Sequence, residues 1–168
     1  NGITRYNGAT WKTYETNDSI VNAWIRSVAV DKDSVVWAGT YGAGVSCFKG
    51  ETRTTYTEDD GLSNGDVTAI AVDKDNVKWF GTGKNMNTFD GERWTTLNHE
   101  GCAGVEAIAF ESSGVAWFGN NVCICRFDGD TITTFDSDDG LEFNYVYAVA
   151  VDYKNVKWFG TDNGVLSY

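Results

Sequence analysis

The side chains in this sequence best suited to holding a ligand are aromatic or charged, and they come in pairs two residues apart. Trp24 and Arg26, Asp66 and Thr68, Gly104 and Glu106, and Tyr145 and Tyr147 each stand at the start of an alternating run of apolar and small residues. Two-residue spacing puts both members of a pair on one face of an extended strand. Tyr41 and Lys84 follow in the short segments Tyr41-Gly42-Ala43-Gly44 and Gly83-Lys84-Asn85. Aromatic faces for stacking, with an arginine, a lysine and carboxylates for directed hydrogen bonds, are what a sugar or peptide site requires. The competing reading is that these positions are surface loops and plugs that vary because nothing constrains them. Asp66 with Glu106 is also the carboxylate pair that acid and base catalysis of a glycosidase type would use. Other catalytic apparatus is sparse. The single histidine, His99, excludes a multi-histidine metal centre, and neither a Gly-x-Ser-x-Gly elbow nor a phosphate-binding loop is present. The chain is expected not to be an enzyme.

The elements that position these residues are repeats. Val36-Trp37-Ala38-Gly39-Thr40, Lys78-Trp79-Phe80-Gly81-Thr82, Ala116-Trp117-Phe118-Gly119-Asn120 and Lys157-Trp158-Phe159-Gly160-Thr161 are four copies of one phrase, with tryptophans 42, 38 and 41 residues apart. Each copy reads as a first strand such as Val67 to Asp73, a tight Asp/Asn/Gly turn, the Trp-bearing strand, and a Gly/Asn loop. A third strand ending in an aromatic and a Gly turn follows, then a fourth strand. Four short strands in every ~40 to 45 residues without helical periodicity is the pattern of propeller blades. The shared Trp, Gly and Thr recur in every unit and are read as packing between blades and a sharp strand exit. Groups that differ between the units are the better candidates for function. In a propeller the starts of the first strands share one mouth with the loops after the Trp strands, which gathers Trp24, Arg26, Tyr41, Asp66, Lys84, Glu106, Tyr145 and Tyr147 there.

The termini fit the same unit. Gly2 to Glu15 reads as a third and a fourth strand, and Tyr145 to Tyr168 as a first, second and third. Residues 1–168 thus make a single all-β domain, or a piece of a propeller, of four blade-equivalents, with a fourth blade that both ends would close together. One third strand is then in surplus, either Ile3 to Tyr6 or Val165 to Tyr168. That surplus suggests a structural alternative, in which the spare strand pairs with another chain to give a homo-oligomer or a head-to-tail polymer.

Thirteen basic against 24 acidic residues give a net charge of −11. No basic stripe offsets it, so nucleic acid and anionic membrane surfaces are not expected partners. No apolar run reaches the ~18 to 20 residues that span a bilayer. The chain opens at Asn1 without a methionine, which implies a removed leader or a longer parent.

Asp60-Gly61-Leu62-Ser63-Asn64, then Val67, Ala69-Ile70, Asp73 and Trp79-Phe80-Gly81-Thr82 together resemble the two-component regulator propeller repeat, and Asp139-Gly140-Leu141 through Thr161 repeats the pattern. The resemblance implies a β-propeller of the periplasmic sensor portion of bacterial hybrid histidine kinases, where paired seven-bladed propellers sense oligosaccharides. It also implies a periplasmic or extracellular location and an oligosaccharide, peptide or protein partner. No kinase, receiver or membrane segment accompanies the repeats here. A seven-bladed antibiotic lyase family carries similar Trp-Phe repeats, but its His and Glu pair has no counterpart in this sequence.

Cysteines break the repeat. Cys123 and Cys125 share one face of a third strand, and Cys102 lies in the loop leading into the same blade, so Cys102 with Cys123 is the candidate disulfide. Cys47 and Cys125 are read as small buried hydrophobes. Glu58-Asp59-Asp60 and Asp136-Ser137-Asp138-Asp139 are oxygen-rich enough for calcium, yet none has the EF-hand spacing. Turn chemistry accounts for them and for Asp31/Asp33 and Asp73/Asp75. No cofactor is expected, with calcium the alternative.

Overall fold

The computed structural model describes residues 2–15, 24–99, 101–142 and 145–168. Among the described residues, seventeen strands form five antiparallel sheets. A hairpin of β1 (Gly2–Tyr6) and β2 (Trp11–Glu15) comes first. Blade 1 is β3 (Ile25–Val30), β4 (Val36–Thr40), β5 (Val45–Lys49) and β6 (Thr52–Tyr56). Blade 2 is β7 (Val67–Val72), β8 (Lys78–Thr82), β9 (Met86–Phe89) and β10 (Trp94–Leu97). Blade 3 is β11 (Ala107–Phe110), β12 (Ala116–Gly119), β13 (Ile124–Phe127) and β14 (Ile132–Phe135). Blade 4 has three strands, β15 (Val146–Val151), β16 (Lys157–Thr161) and β17 (Gly164–Ser167). Within each blade neighbours in sequence are neighbours in the sheet, and the first strands lie side by side, β3 on β7, β7 on β11 and β11 on β15.

Each blade is closed by one acid. Asp31 Oδ1 accepts from the amides of Asp33 (3.0 Å) and Val35 (2.9 Å), while its Oδ2 accepts from the Trp37 indole at 3.0 Å. Asp73 does the same for Asp75, Val77 and Trp79, and Asp152 for Lys154, Val156 and Trp158. The carboxylate that shapes the hairpin therefore also satisfies the indole N–H that packing would otherwise bury unpaired. In blade 3 a longer acid, Glu111, reaches the Trp117 indole at 2.8 Å and takes the Ser113 hydroxyl at 3.1 Å. The turn residue before the second strand has positive φ in all four blades: Ser34, Asn76, Gly114 and Asn155. Turn chemistry is thus the role of Asp31/Asp33 and Asp73/Asp75, as the sequence implies.

The repeated glycine is where blades touch. A Cβ on Gly39 would lie 2.7 Å from Val67 Cγ1 and 2.9 Å from Val67 O, and one on Gly81 would lie 2.6 Å from Val105 O. Val146 stands over Gly119 in the same way. Aromatic rings complete the contact, with Trp37 against Phe80 and Trp117 against Phe159, both with centroids 5.8 Å apart in edge geometry. A lysine of the following blade joins the acid of the preceding one at two junctions, Lys78 with Asp31 at 3.9 Å and Lys157 with Glu111 at 3.1 Å. The shared threonine closes the strand exit. Thr40 Oγ1 donates to Gly44 O at 2.9 Å and accepts from Ala43 N at 3.2 Å.

The terminal strands do not form one sheet. β1 and β2 pair with each other and pack on blade 1, through Ile3 and Tyr14 against Ala38 and Phe48, whereas β15 to β17 stand as a separate sheet. The physical reason is local: β1 already gives β2 a full ladder from Gly2↔Glu15 to Tyr6↔Trp11.

Two predictions follow from these contacts. Gly39→Ala should lose about 1–3 kcal/mol in urea unfolding because Val67 has no room to retreat, whereas Gly160→Ala, whose Cβ meets only Ala148 at 3.4 Å, should stay within about 0.5 kcal/mol of the parent. For Glu111, burial opposes ionisation, but hydrogen bonds from Trp117, Asn155, Lys157 and Ser113 outweigh it and hold the carboxyl down, from 4.5 to about 2. Its stabilisation is therefore complete above pH 4.5 and disappears as pH falls toward 2. Glu111→Gln should be less stable than the parent at pH 7, and thermal melts should show that gap narrowing between those two values.

Candidate functional site

The starts of the first strands lie beside the ends of the second strands. Tyr41 N donates to Trp24 O (2.9 Å), Gly83 N to Asp66 O (3.0 Å) and Asp162 N to Tyr145 O (3.2 Å). The same end of each blade thus carries the varying pair and the varying loop. One of the contacts among them crosses between blades and two lie within a blade.

Arg26 of blade 1 and Glu106 at the start of blade 3 form an ion pair at 3.2 Å, spanning the blade that lies between them. At the corresponding position blade 2 carries Thr68, whose hydroxyl donates to Gly81 O at 3.1 Å and also to Val105 O. A short polar side chain there leaves space for the longer ones on either side. The Arg26 and Glu106 side chains are 39% and 21% exposed, so the pair is open to exchange with a ligand rather than sealed in the core.

Aromatics stand at the same end of blades 1 and 4 in two sets. Trp24 and Tyr41 have ring centroids 5.9 Å apart in tilted geometry, and both are exposed. Tyr145 and Tyr147 stack with centroids 4.9 Å apart and planes 20° apart, with Tyr147 exposed and Tyr145 half-buried. Asp66 is half-buried, its amide held by Asn64 Oδ1 at 2.9 Å, and Lys84 is exposed. Among the described residues no ion pair joins Asp66 or Lys84 to the others. The structure thus brings six of the eight candidates into three contacts and leaves Asp66 and Lys84 outside them.

The remaining candidate groups lie elsewhere. His99 Nδ1 is 3.6 Å from Cys102 Sγ in the loop before blade 3. All four cysteines are free thiols, so the Cys102–Cys123 bond is not formed here. Cys102, Cys123 and Cys125 instead share one core cluster, with Cys123 Sγ 3.4 Å from Cys125 Sγ. Thiol donation from Cys102 and Cys125 pulls Cys123 down in pKa and pushes both donors up. The acidic loops are occupied as caps. Asp60 Oδ2 accepts from Thr57 N at 2.8 Å, Glu58 Oε1 from Gly65 N at 3.0 Å and Asp136 Oδ1 from Asp138 N at 2.8 Å. Among the described residues no group of three or more His, Cys, Asp or Glu is arranged to hold a metal ion, and no helix is long and apolar enough to cross a membrane.

One concavity was not legible from the repeat. A cavity of about 190 Å³ lies between blades 3 and 4, lined by Trp117, Phe135, Leu141, Phe159, Leu166 and Tyr168 among others.

No protein-family description matches this chain, and no curated protein does. Solved structures match it in fold. The extracellular domain assigned to the hybrid two component system BT3049 from B. thetaiotaomicron aligns with 94% of this chain and 23% of its own, at TM-score 0.84 and 19% identity. PorZ, a bacterial surface component of the type-IX secretion system of Porphyromonas gingivalis, aligns with 98% of this chain and 28% of its own, at TM-score 0.78 and 18% identity. Virginiamycin B lyase from Staphylococcus aureus aligns with 86% and 55%, at TM-score 0.64 and 19% identity. The chain is a β-propeller in architecture, and it spans about a quarter of the length of the first two structures. Identities this low carry the fold alone, since a fold does not fix a function.

The ion pair at this end is tested through stability. Partial exposure limits an Arg–carboxylate pair to about 0–1 kcal/mol, so Glu106→Gln should shift the urea midpoint by no more than that allows. A larger loss would make the pair a structural strut rather than an available site.

Proposed function

We propose that this chain is a non-catalytic ligand-binding module of the sensor-propeller kind, working in the periplasm or outside the cell. Its ligand would be an oligosaccharide or peptide taken at the end that carries Trp24, Arg26, Tyr41, Glu106, Tyr145 and Tyr147, with Asp66 and Lys84 as outer polar contacts. The observation that carries this reading is the Arg26–Glu106 pair across blade 2, together with the Trp24–Tyr41 and Tyr145–Tyr147 aromatic pairs at the starts of the first strands of blades 1 and 4. A half-exposed arginine and carboxylate offer directed donors and acceptors, and the rings beside them offer faces on which a pyranose or a side chain can stack. The likeness to the extracellular domain of a two component system supports the sensor part of the reading.

A carboxylate enzyme is less well supported. Glu106 is engaged by Arg26, and among the described residues no hydrogen bond or ion pair joins it to Asp66. The lyase likeness covers fold at 19% identity and brings no histidine to this end, because His99 sits beside Cys102.

Calorimetry with short neutral and uronate-containing oligosaccharides and with short peptides tests the proposal. One binder should be found, and Trp24→Ala and Tyr147→Ala should each weaken it about ten-fold, the size of one lost stacking contact. Thermal unfolding of both variants should match the parent, because both side chains are exposed. Undiminished binding in both variants would place the site elsewhere.

A further inference from the structure

The chain that connects one blade to the next is tied down on the third strand of the blade it enters, and between blades 2 and 3 that tie is made of sulfur. Leading into blade 2, Asn87 of β9 holds the connection: its Oδ1 accepts from Ser63 N at 3.0 Å and its Nδ2 donates to Gly61 O at 3.3 Å. Leu62, between those two anchors, is buried in the junction. Leading into blade 3, Cys102 follows Gly101 as Leu62 follows Gly61. Cys125 stands in β13 opposite Thr134, as Asn87 stands in β9 opposite Thr96.

The bond that replaces the asparagine contacts comes from Cys123, just before β13, whose Sγ donates to Gly101 O at 3.0 Å and lies 3.4 Å from Cys125 Sγ. Cys102 is joined to that same Gly101 carbonyl by a peptide bond, and it shares a core cluster with the other two thiols. All three are buried. Thiols are weak donors, so as hydrogen-bonding groups they hold the connection less firmly than an amide does. This is also the junction whose lysine position is Ala116. Covalent pairing has one good geometry. Residues two apart on an extended segment carry Cβ atoms ~6–7 Å apart, beyond the ~3.5–4.5 Å that a disulfide spans, which disfavours Cys123 with Cys125. Cys102 approaches Cys123 from a different segment.

We propose that Cys102 and Cys123 are a disulfide-forming pair, with Cys125 left as a thiol, and that the bond fixes the connection into blade 3 covalently where Asn87 fixes the connection into blade 2 by hydrogen bonds. The structure holds the reduced state. The oxidant is a low-molecular-weight disulfide. The Cys123 thiolate, favoured by the thiols that donate to it, attacks one sulfur of that disulfide, whose S–S bond breaks to release one thiolate. The Cys102 thiolate then attacks the Cys123 sulfur of the mixed disulfide, and the second thiolate leaves. Two cysteines are oxidised to one disulfide, the oxidant is reduced to two thiols, and the protons of Cys102 and Cys123 pass to the two leaving groups. Because the three sulfurs are buried once the connection has closed, the exchange belongs to folding, and the finished bond is shielded from external thiols. The pairing uses none of the residues proposed to hold the ligand.

Reduced, unfolded chain refolded in mixed reduced and oxidised glutathione, alkylated in denaturant and mapped by mass without reductant, tests the pairing. Cys47 and Cys125 should take the label, and Cys102 and Cys123 should appear as one bonded pair of peptides. Cys125→Ser should keep that bond. The bonded form should melt about 6–12 °C above the same protein refolded under reductant, as expected of a bond that closes a loop of about twenty residues in a chain of this size. Four alkylated cysteines after refolding with oxidised glutathione, a bond from Cys102 to Cys125 or Cys47, or equal melting of the bonded and reduced forms would each overturn the proposal.

Discussion

The fold depends on one close approach. At each of the three junctions a valine at the start of the later blade (Val67, Val105 or Val146) lies on the glycine of the Trp strand before it, close enough that a single added carbon would collide. That contact fixes the spacing between sheets, and the spacing in turn sets whether the next aromatic reaches the tryptophan edge-on and whether a lysine reaches the acid beneath it. Packing of this density transmits displacement rather than absorbing it. The phrase Trp-Phe-Gly-Thr is repeated because each of its residues answers a different neighbour: the acid of its own hairpin, the ring of the adjacent blade, the adjacent valine, and the loop that turns into the third strand.

Those demands fall on the middle and one end of the Trp strand, which frees the other end of the first strand to differ. There, side chains no longer serve the junction, and blade 1 can offer arginine where blade 3 offers glutamate and blade 4 offers two tyrosines. A repeat scaffold acquires an asymmetric site in this way without changing its packing. The intervening blade places the short Thr68 at the corresponding position, its hydroxyl turned to the backbone oxygens of Gly81 and Val105.

Architecture was almost wholly legible in the sequence, because the repeat states its own period and the glycine, tryptophan and turn residues mark the same places in every copy. Strand sets, hairpin acids and the half-blades at both ends follow from local pattern. The candidate site was legible as a set of residues and an end of the molecule, but its contacts were not. Arg26 finds Glu106 across 80 positions, and neither residue type nor spacing encodes that partnership. Nor did spacing reveal that Lys84 makes no ion pair among the described residues, or that the terminal strands stand apart. The latter is decided by β1 competing for β2, a matter of relative affinity between equivalent strands that a pattern of alternation does not resolve.

The junctions differ in kind. Between blades 1 and 2 and between blades 3 and 4 a lysine sits over a tryptophan, 5.5 Å above Trp37 and 5.4 Å above Trp117, and pairs with the acid of the preceding blade. Between blades 2 and 3 the lysine position is Ala116, and among the described residues Asp73 has no ion pair. That junction is instead filled by Met86, Cys102, Cys123 and Cys125 around Trp79 and Phe118. Methionine and thiols are adaptable, polarisable packers, and they occupy the junction whose following blade carries Ala116 in place of the lysine. Replacing a fixed charge pair with soft side chains keeps the buried tryptophan covered while removing the demand for a matched cation. The cysteines therefore break the repeat in sequence while preserving the contact that the repeat exists to make.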